Sequence, residues 1–257
     1  MTDEAFRSLD MTGKTIIVTG AGSGMGRGTA RLLAARGAAV TVADINDDDG
    51  GETVEQIAKE GGQAVYIHAD ISDEENVKEL VARTVETFGG LSGAFNNAGA
   101  ESGASLHETS TADWNRQVGV NLTGTFFCLK YEIAYLLEHG GGSLVNTSSL
   151  AGFKAVPNLA AYVASKHGVV GLTRAASMDY AGRGIRVNVI LPGTIQTPML
   201  DDALRDEVLK KALEDATPIG HVGQIADIAE QAAWLLSDAS KYTTGSQFFV
   251  DGGSNGV

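Results

Sequence analysis

Short β-branched runs alternate with longer segments of helical periodicity along nearly the whole chain. The runs at 15–19 (TIIVT), 39–43 (AVTVA), 64–68 (AVYIH), 93–96 (GAFN), 143–147 (SLVNT), 185–190 (IRVNVI) and 246–250 (SQFFV) predict strands. Several are apolar at successive positions, so both of their faces need cover. Helical patterns fill the intervals at 24–36, 48–60, 73–88, 110–137, 160–181, 202–214 and 224–236. Asp73 and Asp113 stand at or near two helix starts, where a carboxylate caps free N–H groups. Such alternation predicts an α/β fold: a doubly wound parallel sheet of about seven strands with helices on both faces. No composition shift, repeat or low-complexity segment interrupts it, so residues 1–257 are expected to form a single domain.

Composition narrows the class. The chain has 257 residues, 43% hydrophobic and 20% charged, enough for a large core. Its net charge of −13 opposes binding to nucleic acid or an anionic membrane, both of which need basic surface. The single cysteine, Cys128, cannot form an intrachain disulfide and lies in an apolar helical stretch, as a small core residue would. The N-terminal residues carry no apolar signal core, and no run reaches the roughly 18 apolar residues of a membrane span. A cytoplasmic protein is expected.

After the first strand comes TGAGSGMGRG, with Gly20, Gly24 and Gly26 in the turn and Ser23 and Met25 between them. The spacing is not G-x-G-x-x-G, but the physics is shared. Glycine permits the tight turn and a close approach of backbone to a pyrophosphate, and the following helix points its free N–H groups at the anion. Asp44 ends the second strand, where a carboxylate can accept from both hydroxyls of an adenosine ribose and would repel a 2′-phosphate. Neither Ile45 nor Arg36 looks like a 2′-phosphate receptor. NAD is therefore expected over NADP.

Farther along, AYVASK places Tyr162 and Lys166 four apart on one helix face, with the small residues Ala161, Ala164 and Ser165 around them. A free phenol titrates near pH 10 and is a poor base at neutral pH. A neighbouring ammonium favours the phenolate, and a tuned tyrosine can pass a proton to or from an alcohol oxygen.

These segments resemble the short-chain dehydrogenases/reductases. The likeness runs from about Gly13 to Gly253 and is carried by TGAGSGMG (19–26), ADI (69–71), NNAG (96–99), Asn121 in VGVNLTG, NTSS (146–149), YVASK (162–166), LPGTIQTPM (191–199) and VDGG (250–253). Met25 stands where Ile is usual. The resemblance implies a Rossmann-type fold and a catalytic set of Asn121, Ser149, Tyr162 and Lys166. Ser149 would hold the substrate oxygen, with Ser148 as the adjacent candidate, and Asn121 would kink its helix and hold a water linking Lys166 to solvent. It also implies cofactor contacts from Gly20, Ser23, Gly24, Met25 and Gly26, from Asp70 and Ile71 at the adenine, and from Asn97, Ala98 and Gly99. Tyr162 and Lys166 would reach the nicotinamide ribose, and Pro192, Gly193, Ile195 and Thr197 the carboxamide. Family members commonly assemble as tetramers through the two helices expected at 110–137 and 160–181.

The five histidines are scattered with no ligand spacing, so no metal site is expected. Trp114 and Trp234 look like helix packing residues. Ala100–Leu106, Leu150–Leu159 and Met199–Leu213 should line the substrate pocket, with 198–215 as a lid. They offer Leu150, Phe153, Val156, Met199 and Leu200, and no cationic clamp apart from Lys154. An uncharged ring alcohol or ketone fits best, and the segments look similar to family members acting on alicyclic alcohols and ring dihydrodiols. The alternatives are another carbonyl reductase, of 3-oxoacyl or hydroxysteroid type, and a non-catalytic NAD-binding sensor.

Overall fold

The computed structural model describes residues 9–200 and 205–256. Seven strands form one parallel sheet: β1 (Thr15–Thr19), β2 (Ala39–Asp44), β3 (Gln63–His68), β4 (Gly93–Asn96), β5 (Gly142–Thr147), β6 (Ile185–Pro192) and β7 (Gln247–Val250). Their order is β3-β2-β1-β4-β5-β6-β7. The chain winds outward from β1 in both directions, so the strand order reverses between β1 and β4. Ligands collect at the carboxyl ends of strands flanking such a reversal.

Alternation along β1 explains why every position there is buried. Ile16 and Val18 enter one core with Leu33, Ile57, Phe95 and Ile228. Ile17 points the other way and packs with Leu80, Leu129, Ile133 and Leu144. Removing each of these branched side chains from water contributes about 2 kcal/mol, which fixes the register of the strand and hence the position of the turn that follows it.

Helices α1 (Gly24–Ala35), α2 (Asp47–Lys59) and α8 (Ile225–Leu236) supply the first core. Helices α3 (Glu74–Phe88), α5 (Thr125–Glu138) and α6 (Ala160–Tyr180) supply the second. Asp73 caps α3, accepting from the N–H groups of Glu75 and Asn76. Asp113 lies inside the first turn of α4 (Thr111–Val118), whose cap is Ser110; the Ser110 hydroxyl donates to the Asp113 carboxylate. Cys128 is fully buried. Trp234 packs edge-on against Phe248, whereas Trp114 is 39% exposed on the short helix α4, contrary to the packing role expected of it.

Two expected helices differ from the pattern. The segment 110–137 is broken by a π turn, Gly119–Gly124, between α4 and α5. Residues 201–204, where the helix at 202–214 should begin, lie outside the described residues; α7 spans Glu207–Asp215. Asp206 caps it, accepting from the N–H groups of Val208 and Leu209.

Candidate active site

The carboxyl ends of β1, β2, β4 and β5 open onto one cavity of about 470 Å³. Gly20, Ser23, Gly24, Met25 and Asp44 line one end, Asp70, Ile71, Asn97, Ala98 and Gly99 the middle, and Tyr162 and Lys166 the other. Thr197 borders it as well. Asn121, Ser149, Gly26, Pro192, Gly193 and Ile195 do not line it.

The β1 end is made of close-packed backbone. Gly20 has φ +62°, and a Cβ there would lie 2.8 Å from Ala98 Cα. A Cβ at Gly26 would lie 2.0 Å from the Gly20 carbonyl oxygen, so Gly26 shapes the turn from beneath. Asp44 receives the Gly22 N–H at 2.7 Å on one oxygen and the Asn46 N–H at 3.0 Å on the other. Thr19 Oγ1 accepts from the N–H groups of both Asn97 and Ala98, tying β4's end to β1's. Asp70 accepts from the Ser72 N–H and hydroxyl. Ile71 lies under Gly124, where any Cβ would meet its Cδ1 at 2.8 Å.

The other end is made of side chains from three elements. Lys166, 3% exposed, donates from Nζ to the Thr147 carbonyl at 2.9 Å. Its Nζ is 5.6 Å from the Tyr162 ring centroid. Asn121 is fully buried in the π turn. Its Oδ1 accepts from the Ala100 N–H at 2.7 Å, and its Nδ2 donates to the Ala100 carbonyl and the Ser165 hydroxyl. Both amide hydrogens are committed within the protein, so the Asn121 side chain has none left to donate to a water.

The two serines differ. Ser148 borders the cavity but is 2% exposed, and its hydroxyl donates to the Lys166 carbonyl. Ser149 opens a 3₁₀ turn (Leu150–Gly152), accepts from the Ala151 N–H, and has its hydroxyl near enough to Tyr162 to lower the phenol's pKa.

Burial, rather than the lysine, dominates the acidity of the tyrosine. It pushes the Tyr162 phenol up to about 12, against the opposing hydrogen bond from Ser149, and the charge of Glu101 adds to the rise. Burial likewise brings Lys166 down to about 8, which Glu101 opposes. The Lys166 cation, expected to favour the phenolate, does not outweigh that burial. Glu101 falls in the segment Ala100–Leu106 expected to line the substrate pocket, though nothing in the sequence singles it out. It lies just beyond NNAG, borders the cavity, and has its own carboxyl raised by burial.

Pro192 ends β6, Gly193 donates to the Val250 carbonyl, and Ile195 packs against Gly223. Of the apolar wall expected for the substrate, Leu150, Phe153, Val156 and Leu200 do not border this cavity; the Met199 side chain lies outside the described residues. Phe153 is half exposed and edge-on to Phe249, and Lys154 donates to the Ser254 carbonyl. No three His, Cys, Asp or Glu side chains converge as metal ligands among the described residues.

A dinucleotide fits what is present. The glycine cradle leaves backbone where side chains would block an approaching phosphate. Two buried side-chain oxygens of cavity-lining residues, Asn97 Oδ1 and Thr147 Oγ1, have no hydrogen-bond partner among the described residues. Fold and cavity are those of a nucleotide-binding oxidoreductase.

The chain belongs to the short-chain dehydrogenase/reductase family, and the family model described as Enoyl-(Acyl carrier protein) reductase matches residues 20–255. It is 50% identical over 251 residues to a 2,5-dichloro-2,5-cyclohexadiene-1,4-diol dehydrogenase of Sphingobium indicum, covering 96% of this chain and 99% of that one. It is 42% identical to a cyclohexanol dehydrogenase of an Acinetobacter species, covering 97% and 98%. A crystal structure of an Agrobacterium tumefaciens protein with bound NADP superposes with a TM-score of 0.90 at 35% identity, covering 97% and 99%. The family's cofactor is a nicotinamide dinucleotide.

Proposed function

We propose that this protein is an NAD-dependent alcohol dehydrogenase/reductase that interconverts a secondary alcohol on an uncharged ring with its ketone. The observation that carries this reading is one cavity running from the glycine turn and Asp44 to Tyr162 and Lys166. The relatives acting on cyclohexanol and a cyclohexadiene diol support the ring substrate.

The nicotinamide supplies the hydride acceptor or donor at the carbinol carbon. The chain's own residues handle the oxygen. Ser149 holds it, and Tyr162 Oη gives or takes its proton. Lys166 keeps a cation beside the phenol and reaches the ribose. Asn121 fixes Ala100 and Ser165, and with them the cavity wall and α6. Asp44 accepts the adenosine ribose hydroxyls and disfavours a 2′-phosphate. Arg27, a cation near this end, is already paired with Glu52 and hydrogen-bonded to the Gly22 carbonyl, which supports NAD over NADP. Gly26 shapes the phosphate turn, and Pro192, Gly193, Ile195 and Thr197 form the loop that meets the carboxamide.

Residues 1–257 act as a single unit, with 198–215 as a lid over the substrate. The exposed Val208 and Leu209 of α7 give that lid an apolar face. The protein self-associates as a tetramer. Phe126 on α5 and Met178 on α6, 44% and 83% exposed, offer apolar contacts, and a monomer in light scattering would refute this. A lone buried cysteine suits the reducing cytoplasm. No helix among the described residues is long and apolar enough to cross a membrane.

The test is reduced-nicotinamide absorbance with NAD or NADP and a panel of cyclohexanol, a ring cis-dihydrodiol, a hydroxysteroid and a 3-hydroxyacyl thioester. NADH formed with the ring alcohols supports the reading. Turnover confined to the thioester or steroid would replace it with the other carbonyl-reductase readings. Silence with retained NAD binding would favour a sensor.

A further inference from the structure

Glu101 is a carboxylate in the wrong place for a site that handles only an uncharged mono-alcohol. It sits on the loop after β4, three residues beyond Ala98, and borders the cavity together with Tyr162, Lys166 and Val120. The neighbouring backbone is pinned: Asn121 holds both the N–H and the carbonyl of Ala100 at 2.7 and 2.8 Å. A Cβ on Gly99, beside it, would lie 3.2 Å from Asn121 Oδ1 and 3.5 Å from Lys166 Nζ, so this stretch passes next to the lysine. Glu101 is thus attached to a fixed stretch of chain, near enough to the catalytic lysine for their charges to interact. Among the described residues its carboxylate has no hydrogen-bond or ion-pair partner, unlike Asp44 and Asp70, whose oxygens accept backbone N–H groups. Lys166, the facing cation, donates to the Thr147 carbonyl instead. Glu101 is exposed at the cavity's edge, so its carboxylate is open to a donor that a ligand brings, and the pair forms a charge-assisted hydrogen bond.

We propose that Glu101 is a specificity residue that accepts a hydrogen bond from a second hydroxyl on the ring of the substrate, so that the site selects ring diols and hydroxyketones over mono-alcohols and rejects ring alcohols bearing a carboxylate. This rests on the ring-alcohol reading above. Ser149 and Tyr162 take the reacting oxygen and Glu101 takes the remote one, which orients the ring between two polar points in an otherwise mostly apolar cavity. A site built to receive a hydroxyl discriminates strongly against the analogue that lacks it, because its own polar group is then left unpaired. A second carboxylate brought beside Glu101 is repelled instead.

The test measures kcat/KM with NAD for cyclohexanol, the cyclohexane-1,2-, 1,3- and 1,4-diols, 4-aminocyclohexanol and 4-hydroxycyclohexanecarboxylate, in the native enzyme, Glu101→Gln and Glu101→Ala. NADH binding by fluorescence serves as the check on folding. The ratio of diol to cyclohexanol cancels whatever the Glu101 charge does to Tyr162 and Lys166, since both substrates feel that alike. The native enzyme should prefer at least one diol by about tenfold or more. Glu101→Ala should collapse that ratio toward one. Glu101→Gln, which keeps an acceptor oxygen without the charge, should retain part of the ratio and raise use of the carboxylate several-fold. A native enzyme without diol preference, or a ratio unchanged in Glu101→Ala, would overturn the proposal and leave the ring-alcohol reading standing. A preference for the amine over every diol would overturn the hydroxyl assignment. Turnover of no ring compound at all would overturn both.

Discussion

At the β1–β2 end of the cavity the protein presents backbone; at the β5–α6 end it presents side chains. The first end is a glycine turn closed against Ala98, with Asp44 held by the Gly22 and Asn46 N–H groups. The second joins Asn121 from the π turn, Ser149 from the end of β5, and Tyr162 and Lys166 from α6. The difference follows from the tasks. A dinucleotide's phosphates and ribose do not react, so fixed N–H groups and one carboxylate suffice to bind them. Proton transfer needs a group whose acidity depends on its surroundings, and here burial holds the phenol near 12 and the lysine near 8.

If the two ends are separable in this way, a change at one should spare the other. The largest effect is expected from Tyr162→Phe, which removes the proton-carrying oxygen. Turnover should fall by about a thousandfold, while NADH fluorescence titration gives a binding constant near the native one. Retained turnover would remove Tyr162 from the chemistry.

Next in size is Asn121→Ala. It deletes three hydrogen bonds that join the loop after β4 to α6. At about 1 kcal/mol each, the loss should lower stability by about 2–3 kcal/mol in urea unfolding and reduce kcat more than it raises KM for NAD. An unchanged midpoint would show that the π turn stands without them.

Behind the catalytic end lies Glu132, fully buried, receiving a hydrogen bond from Asn96, which also donates to Asn146. Burial raises its carboxyl to about 7. The unfolded chain releases this proton near pH 4.5 and the folded one near 7, so the stability it contributes is fully present below 4.5 and is lost as pH rises through 7. At 1.36 kcal/mol per unit the loss is at most about 3 kcal/mol. Glu132→Gln should flatten the stability–pH curve over that window; an unaltered slope would contradict the assignment.

The smallest effect is expected at the backbone end. Asp44→Ala should lower the NAD-to-NADP preference in kcat/KM by about tenfold, with the Tyr162-dependent step intact at saturating cofactor. An unchanged ratio would remove Asp44 from cofactor selection.

The same contrast explains what the sequence discloses. The glycine turn, Asp44, and the Tyr162–Lys166 pair are local: their spacing along the chain is their geometry in space. The strand pattern is legible for the same reason, since β1 alternates sides at every residue. The π turn is legible only as the helix kink that the resemblance implies at Asn121; its geometry rests on Ala100 and Ser165, 21 and 44 residues away. Glu132 looks like an exposed position in an apolar helix until Asn96, 36 residues distant, is placed beside it. Glu101 was hidden for another reason. A carboxylate in a loop reads as solvent-facing, and Glu101 is exposed, yet the pinned backbone between NNAG and the π turn brings it to the edge of the cavity that Lys166 also lines. Leu150, Phe153 and Val156 follow Ser149 closely in sequence, yet like Ser149 they do not border this cavity.

The most direct test of the account follows the hydrogen itself. Cyclohexanol carrying deuterium on the carbinol carbon would be oxidised with NAD, and the reduced cofactor and the ketone analysed by mass spectrometry. Direct hydride transfer, with Tyr162 taking only the hydroxyl proton, predicts one deuterium in every NADH formed and none in solvent. NADH without deuterium, or no NADH from any ring alcohol, would contradict the chemistry assigned to this cavity.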